Sequence, residues 1–264
     1  MIVVEPYNPN WAKEFQKESE KIHSLYGDKI LALHHMGSTS VPGLSAKPII
    51  DMIAVVESIK NFDPSGLLSL GYLDRGELII PFRRVFRRGD PRSHFVHVFE
   101  QGDPQIRRNL CFRDFLTNHP DHKKRYGDLK EALAKKYYDQ KSLWNYTREK
   151  THVVEECLKL AGFDDYIFNR AYSDAEYEAY QKIMRTAEAL TDKQLTNLSR
   201  EDTFEAIQNH FILLHQGIVC AGAFVEKTDN AYQCYAVEYA PDFTDPKGKS
   251  YFSQMIDKWI KENS

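Results

Sequence analysis

With 264 residues, 42% of them hydrophobic and 28% charged, the chain is long enough for two compact units and has the make-up of an ordinary folded protein. It holds no apolar run near the roughly 20 residues of a membrane-spanning helix, and a net charge of −3 gives no support to long-range steering of nucleic acid. Met1-Ile2-Val3-Val4-Glu5-Pro6 lacks the basic segment and apolar core of a signal peptide, so a cytoplasmic location without membrane contact is expected. Cys111, Cys157, Cys220 and Cys234 are widely spaced, form no CxxC pattern and are expected as free thiols. Residues 1–165 carry 25 basic and 23 acidic side chains and the rest carry 10 and 15, so a modestly basic first part suits an anionic ligand.

Helical spacing over residues 9–26 places Trp11, Phe15, Ile22 and Leu25 near one face. Ile30 to His35 reads as a strand, and Pro48 to Val56 as a buried strand rich in branched residues. A helix over Phe62 to Leu70 ends at Gly71. Strands are expected at Glu77 to Phe86 and His94 to Glu100, separated by the turn residues of Arg88-Gly89-Asp90-Pro91-Arg92. Helices follow at Gln105 to Asn118, Pro120 to Gln140 and Ser142 to Ala161, the second marked by the steps between Tyr126, Leu129, Leu133 and Tyr137.

After Gly162-Phe163-Asp164-Asp165 the pattern restarts. A strand at Ile167 to Arg170 precedes a helix capped at Ser173 and running to Leu190, then a helix over Glu201 to Asn209. Three strands come close together, His210 to Leu214, Ile218 to Val225 and Ala231 to Tyr239, joined by His215-Gln216-Gly217 and Lys227-Thr228-Asp229-Asn230. A helix from Tyr251 to Lys261 is last. Two domains of α/β (α+β) class are expected, residues 1–164 and 165–264.

The most informative stretch is His35-Met36-Gly37-Ser38-Thr39-Ser40-Val41-Pro42-Gly43-Leu44, followed by Lys47-Pro48-Ile49-Ile50-Asp51. Gly37 lets backbone approach a phosphate, while Ser38 and Thr39 offer hydroxyl and amide donors. The alternative is a tight turn with no ligand. Asp51 tilts the balance, because a carboxylate in an apolar strand is costly to bury unless it is paired or on a metal. Lys47 can neutralise phosphate as a point charge, or simply be a solvated loop lysine. His35 can contact phosphate or a leaving oxygen, or bond backbone at a strand end. His94 and His97 fall on opposite faces of one strand and make a poor metal pair. Of the crowded arginines Arg83, Arg84, Arg87, Arg88 and Arg92, one or two are expected to enter the site.

Pro6-Tyr7-Asn8-Pro9-Asn10-Trp11, the loop and strand just quoted, Arg92-Ser93-His94-Phe95-Val96-His97-Val98, Phe112-Arg113-Asp114-Phe115-Leu116 and His119-Pro120 fall in one order with Tyr126, Leu129-Lys130 and Leu133-Ala134. In this the first 162 residues resemble the GrpB family. The resemblance implies a nucleotidyltransferase-like mixed sheet with helices. It implies Asp51, Lys47 and His35 as catalytic residues, with Asp51 on a magnesium ion, and a nucleoside triphosphate held by Gly37, Ser38, Thr39, Arg92, His97 and Arg113. A nucleotidyl group would pass to an unidentified acceptor. Ile53 departs from that pattern, since a second carboxylate two residues past the first normally shares the metal. Glu100 and Asp114 are candidates to replace it, Asp114 fitting better as a partner of Arg113. The competing reading is a non-catalytic nucleotide- or anion-binding module.

The later elements resemble the front half of an acyl-CoA N-acyltransferase of the GNAT type, smaller and incomplete. A glycine-rich turn in that family donates amides to the coenzyme A pyrophosphate; here Asp245-Pro246-Lys247-Gly248-Lys249-Ser250 corresponds, with Gly248 and Ser250 matching. Pro246 removes one donor, and the strands completing the slot are not in this sequence. Acetyl-CoA is therefore weakly suggested, and an unpaired strand edge would invite a second copy of the chain.

Overall fold

The computed structural model describes residues 2–137, 143–187, 190, 208–229 and 231–264. The expected ends of helices near Gln140 and Ser142, most of the expected helix at Glu201 to Asn209, and the turn residue Asn230 lie outside them. The chain forms two compact units, Met1–Leu78 with Phe82–Phe163, and Ile79–Pro81 with Asp164–Ser264. Its class is mixed α/β: a five-stranded mixed sheet in the first unit and a four-stranded antiparallel sheet in the second.

In the first unit, α1 (Asn10–Tyr26), β1 (Ala32–Met36), β2 (Ile50–Val56), α2 (Ser65–Ser69), β3 (Leu73–Asp74), β4 (Arg83–Arg88) and β5 (His94–Glu100) build the sheet and one covering layer. Strand order is β1-β2-β5-β4-β3, with β2 and β5 parallel and the other pairs antiparallel. Alternation sets the faces. Ile50, Met52, Ala54, Val56, Val96 and Val98 turn to one side and pack with Trp11 and Ile22 of α1 and Leu67 of α2. Asp51 and Ile53 therefore face the other way, in register with Phe95 and His97.

The helices α3 (Pro104–Asn118), α4 (Pro120–Lys136), α5 (Leu143–Arg148) and α6 (Thr151–Leu160) follow. Asp103 caps α3 by accepting from the Gln105 amide, and a proline opens both α3 and α4, where its missing N–H costs nothing. Phe115, Leu116, Tyr126, Val153 and Cys157 pack with Val41 and Leu44 of the small-residue loop. This cluster fastens the loop to the helices. The single helix expected over Ser142 to Ala161 is two, broken at Glu149 and Lys150.

Two other expectations shift. Glu77 to Phe86 is not one strand: Leu78 and Phe82 take φ of 56° and 59°, left-handed values that end pairing, and only Arg83 onward joins the sheet. On α1, Leu25 is 49% exposed, and the buried stripe runs Trp11, Glu18, Ile22, Tyr26. Glu18 accepts a 2.6 Å ion pair from Arg88, a hydrogen bond from the Tyr72 hydroxyl at 3.0 Å and one from Lys21 at 3.2 Å. Burial raises its carboxyl, but these donors outweigh that and hold it below the usual range.

In the second unit, β6 (Ile167–Arg170), β7 (His210–His215), β8 (Ile218–Lys227) and β9 (Tyr232–Tyr239) pair antiparallel in chain order. Helix α7 (Asp174–Met184) starts at a full capping box between Ser173 and Glu176. Gln216 and Gly217, both left-handed, make the β7–β8 turn. The last helix, α8 (Pro246–Asn263), begins five residues before the expected start because Asp245 caps it, accepting from the Lys247 amide, with Pro246 in the first turn. Gly248 and Ser250 are thus helical rather than in an open turn. A Cβ on Gly248 would sit 2.5 Å from Phe243 and 2.7 Å from Tyr166, so that glycine serves close ring packing, and the Ser250 hydroxyl accepts from Gln254.

Glu18→Ala should cost about 3 kcal/mol in urea denaturation by leaving Arg88 facing an empty, buried site. Tyr72→Phe keeps the ion pair and should cost clearly less; equal losses would mean that the charge pair is not the anchor.

Candidate functional site

Antiparallel pairing sets Met36 opposite Asp51, so the chain leaving β1 turns directly over the start of β2. Gly37 makes that turn with φ 71°, and a Cβ there would lie 2.8 Å from Asp51 Oδ2. Both the backbone conformation and the carboxylate require glycine. Ser38–Ser40 is one 3₁₀ turn, held by Ser40 Oγ donating to the Gly37 carbonyl at 2.6 Å. Thr39 Oγ1 donates to the Ile49 carbonyl at 3.0 Å, which leaves it to accept from His35 Nε2, also at 3.0 Å. The Tyr126 hydroxyl bonds the Ser38 side chain.

A cavity of about 130 Å³ opens beside this turn, lined by Ser38, Thr39, Lys47, Ile49, Asp51, Arg92, Lys130, Tyr146, Thr147 and Lys150. Its charges are lopsided. Lys47 lies 3.7 Å and Lys150 4.6 Å from the Tyr146 ring centre, Lys130 5.1 Å from that of Tyr126, and the Arg92 guanidinium 4.5 Å from that of Phe95. Aromatic faces thus hold four cations in place. Lys130 also donates to the Ser45 carbonyl. Among the described residues of the lining Asp51 is the one carboxylate.

Burial and mutual repulsion depress the lysines: Lys47 falls to about 7, with Lys150 and Arg92 adding to desolvation, Lys130 to about 6, and Lys150, through burial, to about 8. Burial raises Asp51 to about 6 despite Arg92, Lys150 and Lys47 nearby. The charged forms of these lysines are thus disfavoured here, a cost that an incoming anion would offset.

Of the residues expected at the site, Ser38, Thr39, Lys47, Asp51 and Arg92 line the cavity and Gly37 abuts Asp51. The other three stand behind it. His35 stacks on Phe15 at 4.8 Å, and burial, then Arg113, depress it to about 4, so it acts as a neutral donor that positions Thr39. Arg113 donates to the His35 carbonyl at 2.9 Å and pairs with Asp114 at 2.7 Å. His97, buried, accepts from Arg83 at 3.0 Å. Glu100 accepts from the Ile59 amide, so neither Glu100 nor Asp114 joins Asp51. Of the five arginines only Arg92 lines the cavity; Arg84 pairs with Asp74 and Arg88 with Glu18.

Sequence reasoning missed Lys130, Tyr146, Thr147 and Lys150. A signal existed for one: Lys130 lies on the buried stripe of α4 with Tyr126 and Leu133, where a solvated lysine does not belong. Lys150 follows the unforeseen break between α5 and α6.

Comparison with known proteins places this geometry in a family. The family model described as GrpB protein matches residues 1–160, and the chain belongs to the GrpB family. It is 45% identical over 137 residues to the UPF0157 protein YqkA of Bacillus subtilis, a match covering 50% of this chain but 40% of that protein's length. It is 35% identical over 163 residues to the UPF0157 protein BH1888 of Halalkalibacterium halodurans, covering 61% of this chain and 82% of the relative. The crystal structure of the conserved protein GrpB from Enterococcus faecalis superposes with a TM-score of 0.56 at 34% identity, covering 60% of this chain and 98% of that one. Among the described residues no helix is long and apolar enough to cross a membrane.

Gly37→Ala should destabilise the protein by more than about 1 kcal/mol in thermal melts, adding a clash to left-handed strain. Gly27→Ala, at φ 52° with no neighbouring atom within 4 Å, carries the strain alone and should cost less. The lysines give a second prediction. Each binds fewer protons folded than unfolded between its folded value and the ordinary 10.5, so stability rises with pH from about 6 upward. Asp51, raised from 3.8, acts oppositely, but below about 6. In anion-free buffer Tm should climb from pH 6 to 9, and Lys130→Met should be more stable than the parent at pH 6; a lower Tm at that pH would refute the cost of charging the lysines.

Proposed function

We propose that the first unit binds the phosphate group of a small anionic molecule, without a metal ion, in the cavity beside Gly37. The observation that carries this reading is four cations converging on one carboxylate in a space of about 130 Å³. That volume suits a phosphoryl group, whereas pockets enclosing a whole drug-sized ligand run to roughly 300–1,000 Å³, so the remainder of a larger ligand would lie outside. Arg92 presents a fork for two oxygens, and the lysines act as point charges that gain protons as the anion enters.

Magnesium fits this lining poorly. Mg²⁺ takes hard oxygen ligands, usually including carboxylates, and here a single Asp51 stands among cations that repel it. No group of three or more His, Cys, Asp or Glu able to hold a metal occurs among the described residues. The mixed sheet, the Gly-Ser turn and the acid at the start of β2 still support a nucleotidyltransferase-like architecture, used here for recognition rather than for metal-assisted transfer. In the second unit, β6, α7 and the run β7-β8-β9 before α8 support an incomplete acyltransferase-like fold. The packing around Gly248 gives coenzyme A no comparable support.

Titration calorimetry with inorganic phosphate and with ATP, in chelator and then in magnesium, tests the reading. Binding should persist in chelator and weaken at least about ten-fold in Lys150→Ala, in line with loss of a charge-assisted contact. Binding of ATP that appears only with magnesium and vanishes in Asp51→Ala would instead favour a nucleotidyltransferase site.

A further inference from the structure

We propose that the pocket selects oxyanions that carry a proton near neutral pH, inorganic phosphate or a terminal phosphate monoester, over fully ionised ones such as sulfate, with Asp51 as the selecting residue. This rests on the phosphate-group reading above and adds the means of discrimination.

The donors do not discriminate. Lys47, Arg92, Lys130 and Lys150, with the hydroxyls of Ser38 and Thr147, would serve sulfate and phosphate alike, since both are tetrahedral, similar in size and doubly charged or nearly so. The difference must come from the acceptor. Asp51 is the lone carboxylate among the described residues of the lining, and its Oδ2 lies against the bare backbone of Gly37, 2.8 Å from where a Cβ would sit, so no side chain comes between that turn and the acid. The influences on Asp51 are burial and the charges of Arg92, Lys150 and Lys47, with no hydrogen bond among them. Among the described residues none donates a hydrogen bond to it, so it can accept one from a guest.

Arg92, Lys150 and Lys47 all lie close enough to Asp51 to act on its charge, and the four line one cavity, so an anion held by those basic groups is brought up against the carboxylate. An oxygen of the guest must then meet the carboxylate, and two facing anionic oxygens repel unless a proton lies between them. Phosphate supplies that proton. Its second ionisation, near pH 6 for an ester, lies close enough to neutrality for the proton to be kept in contact with Asp51. Sulfate has none to supply.

The test is competition calorimetry with inorganic phosphate and sulfate near neutral pH. The parent protein should prefer phosphate by at least about ten-fold, the scale of one unpaired charged contact. Asp51→Asn, near-isosteric and carrying an amide that can donate, should bind sulfate more tightly than the parent and bring the ratio close to one. Lys150→Ala should weaken both anions and leave the ratio standing, which separates a lost donor from a lost selector. Circular dichroism and Tm confirm that each variant is folded. If the parent binds both anions equally, or Asp51→Asn keeps the preference, selection by Asp51 is overturned while phosphate-group binding survives. If the parent binds neither, both proposals fall together.

Discussion

A carboxylate pressed against a bare glycine, with cations for neighbours, sets the layout of the first unit. Asp51 points away from the apolar layer because alternation along β2 commits Ile50 and Met52 to the other face. Once there, it can remain ionised only if positive groups gather round it, and they come from the segment before β2, the β4–β5 turn, α4 and the stretch after α5. The gathering overshoots. Four basic groups for one acid leave an excess of positive charge, which the lysines relieve by giving up protons more readily than usual. Gly37 is the hinge of the arrangement, since any side chain at that position would displace the acid and the loop that covers it.

Much of this was legible where elementary rules act locally. A run of branched residues revealed β2, helical periodicity revealed α3 from Gln105 onward, and the glycine before a serine beside a strand carboxylate pointed to the residues that line the cavity. What escaped depended on tertiary partners. Glu18 replaced Leu25 on the buried face of α1 because Arg88 and Tyr72, more than fifty residues away, satisfy its oxygens. Lys130 was hidden by its charge, which reads as surface until the carbonyl of Ser45 is seen to receive it. Residues 77–82 are apolar enough to read as a strand, but two left-handed residues take them out of the sheet. His97 shares the Asp51 face, yet Arg83 occupies its ring nitrogen, a pairing set by strand register that motif reading does not reach.

The second unit shows the same division between local and distant causes. The capping box at Ser173 and the turn at Gln216-Gly217 follow from residue types alone, whereas the role of Gly248 follows from two aromatic rings closing over it. Close packing of the Phe243 and Tyr166 rings is thus enough to account for glycine at position 248. This separates kinship of fold from kinship of function.

The stretch joining α5 to α6 has a wider consequence. Lys150 stands on a two-residue link, and Lys130 on a helix fastened to the Gly-Ser loop by an apolar cluster, the Tyr126–Ser38 hydrogen bond and lysine bonds to the Pro42 and Ser45 carbonyls. A guest bridging Lys130 and Lys150 to Asp51 would act as a strut between segments 79 and 99 positions apart, stiffening the helical layer against the sheet by mass action.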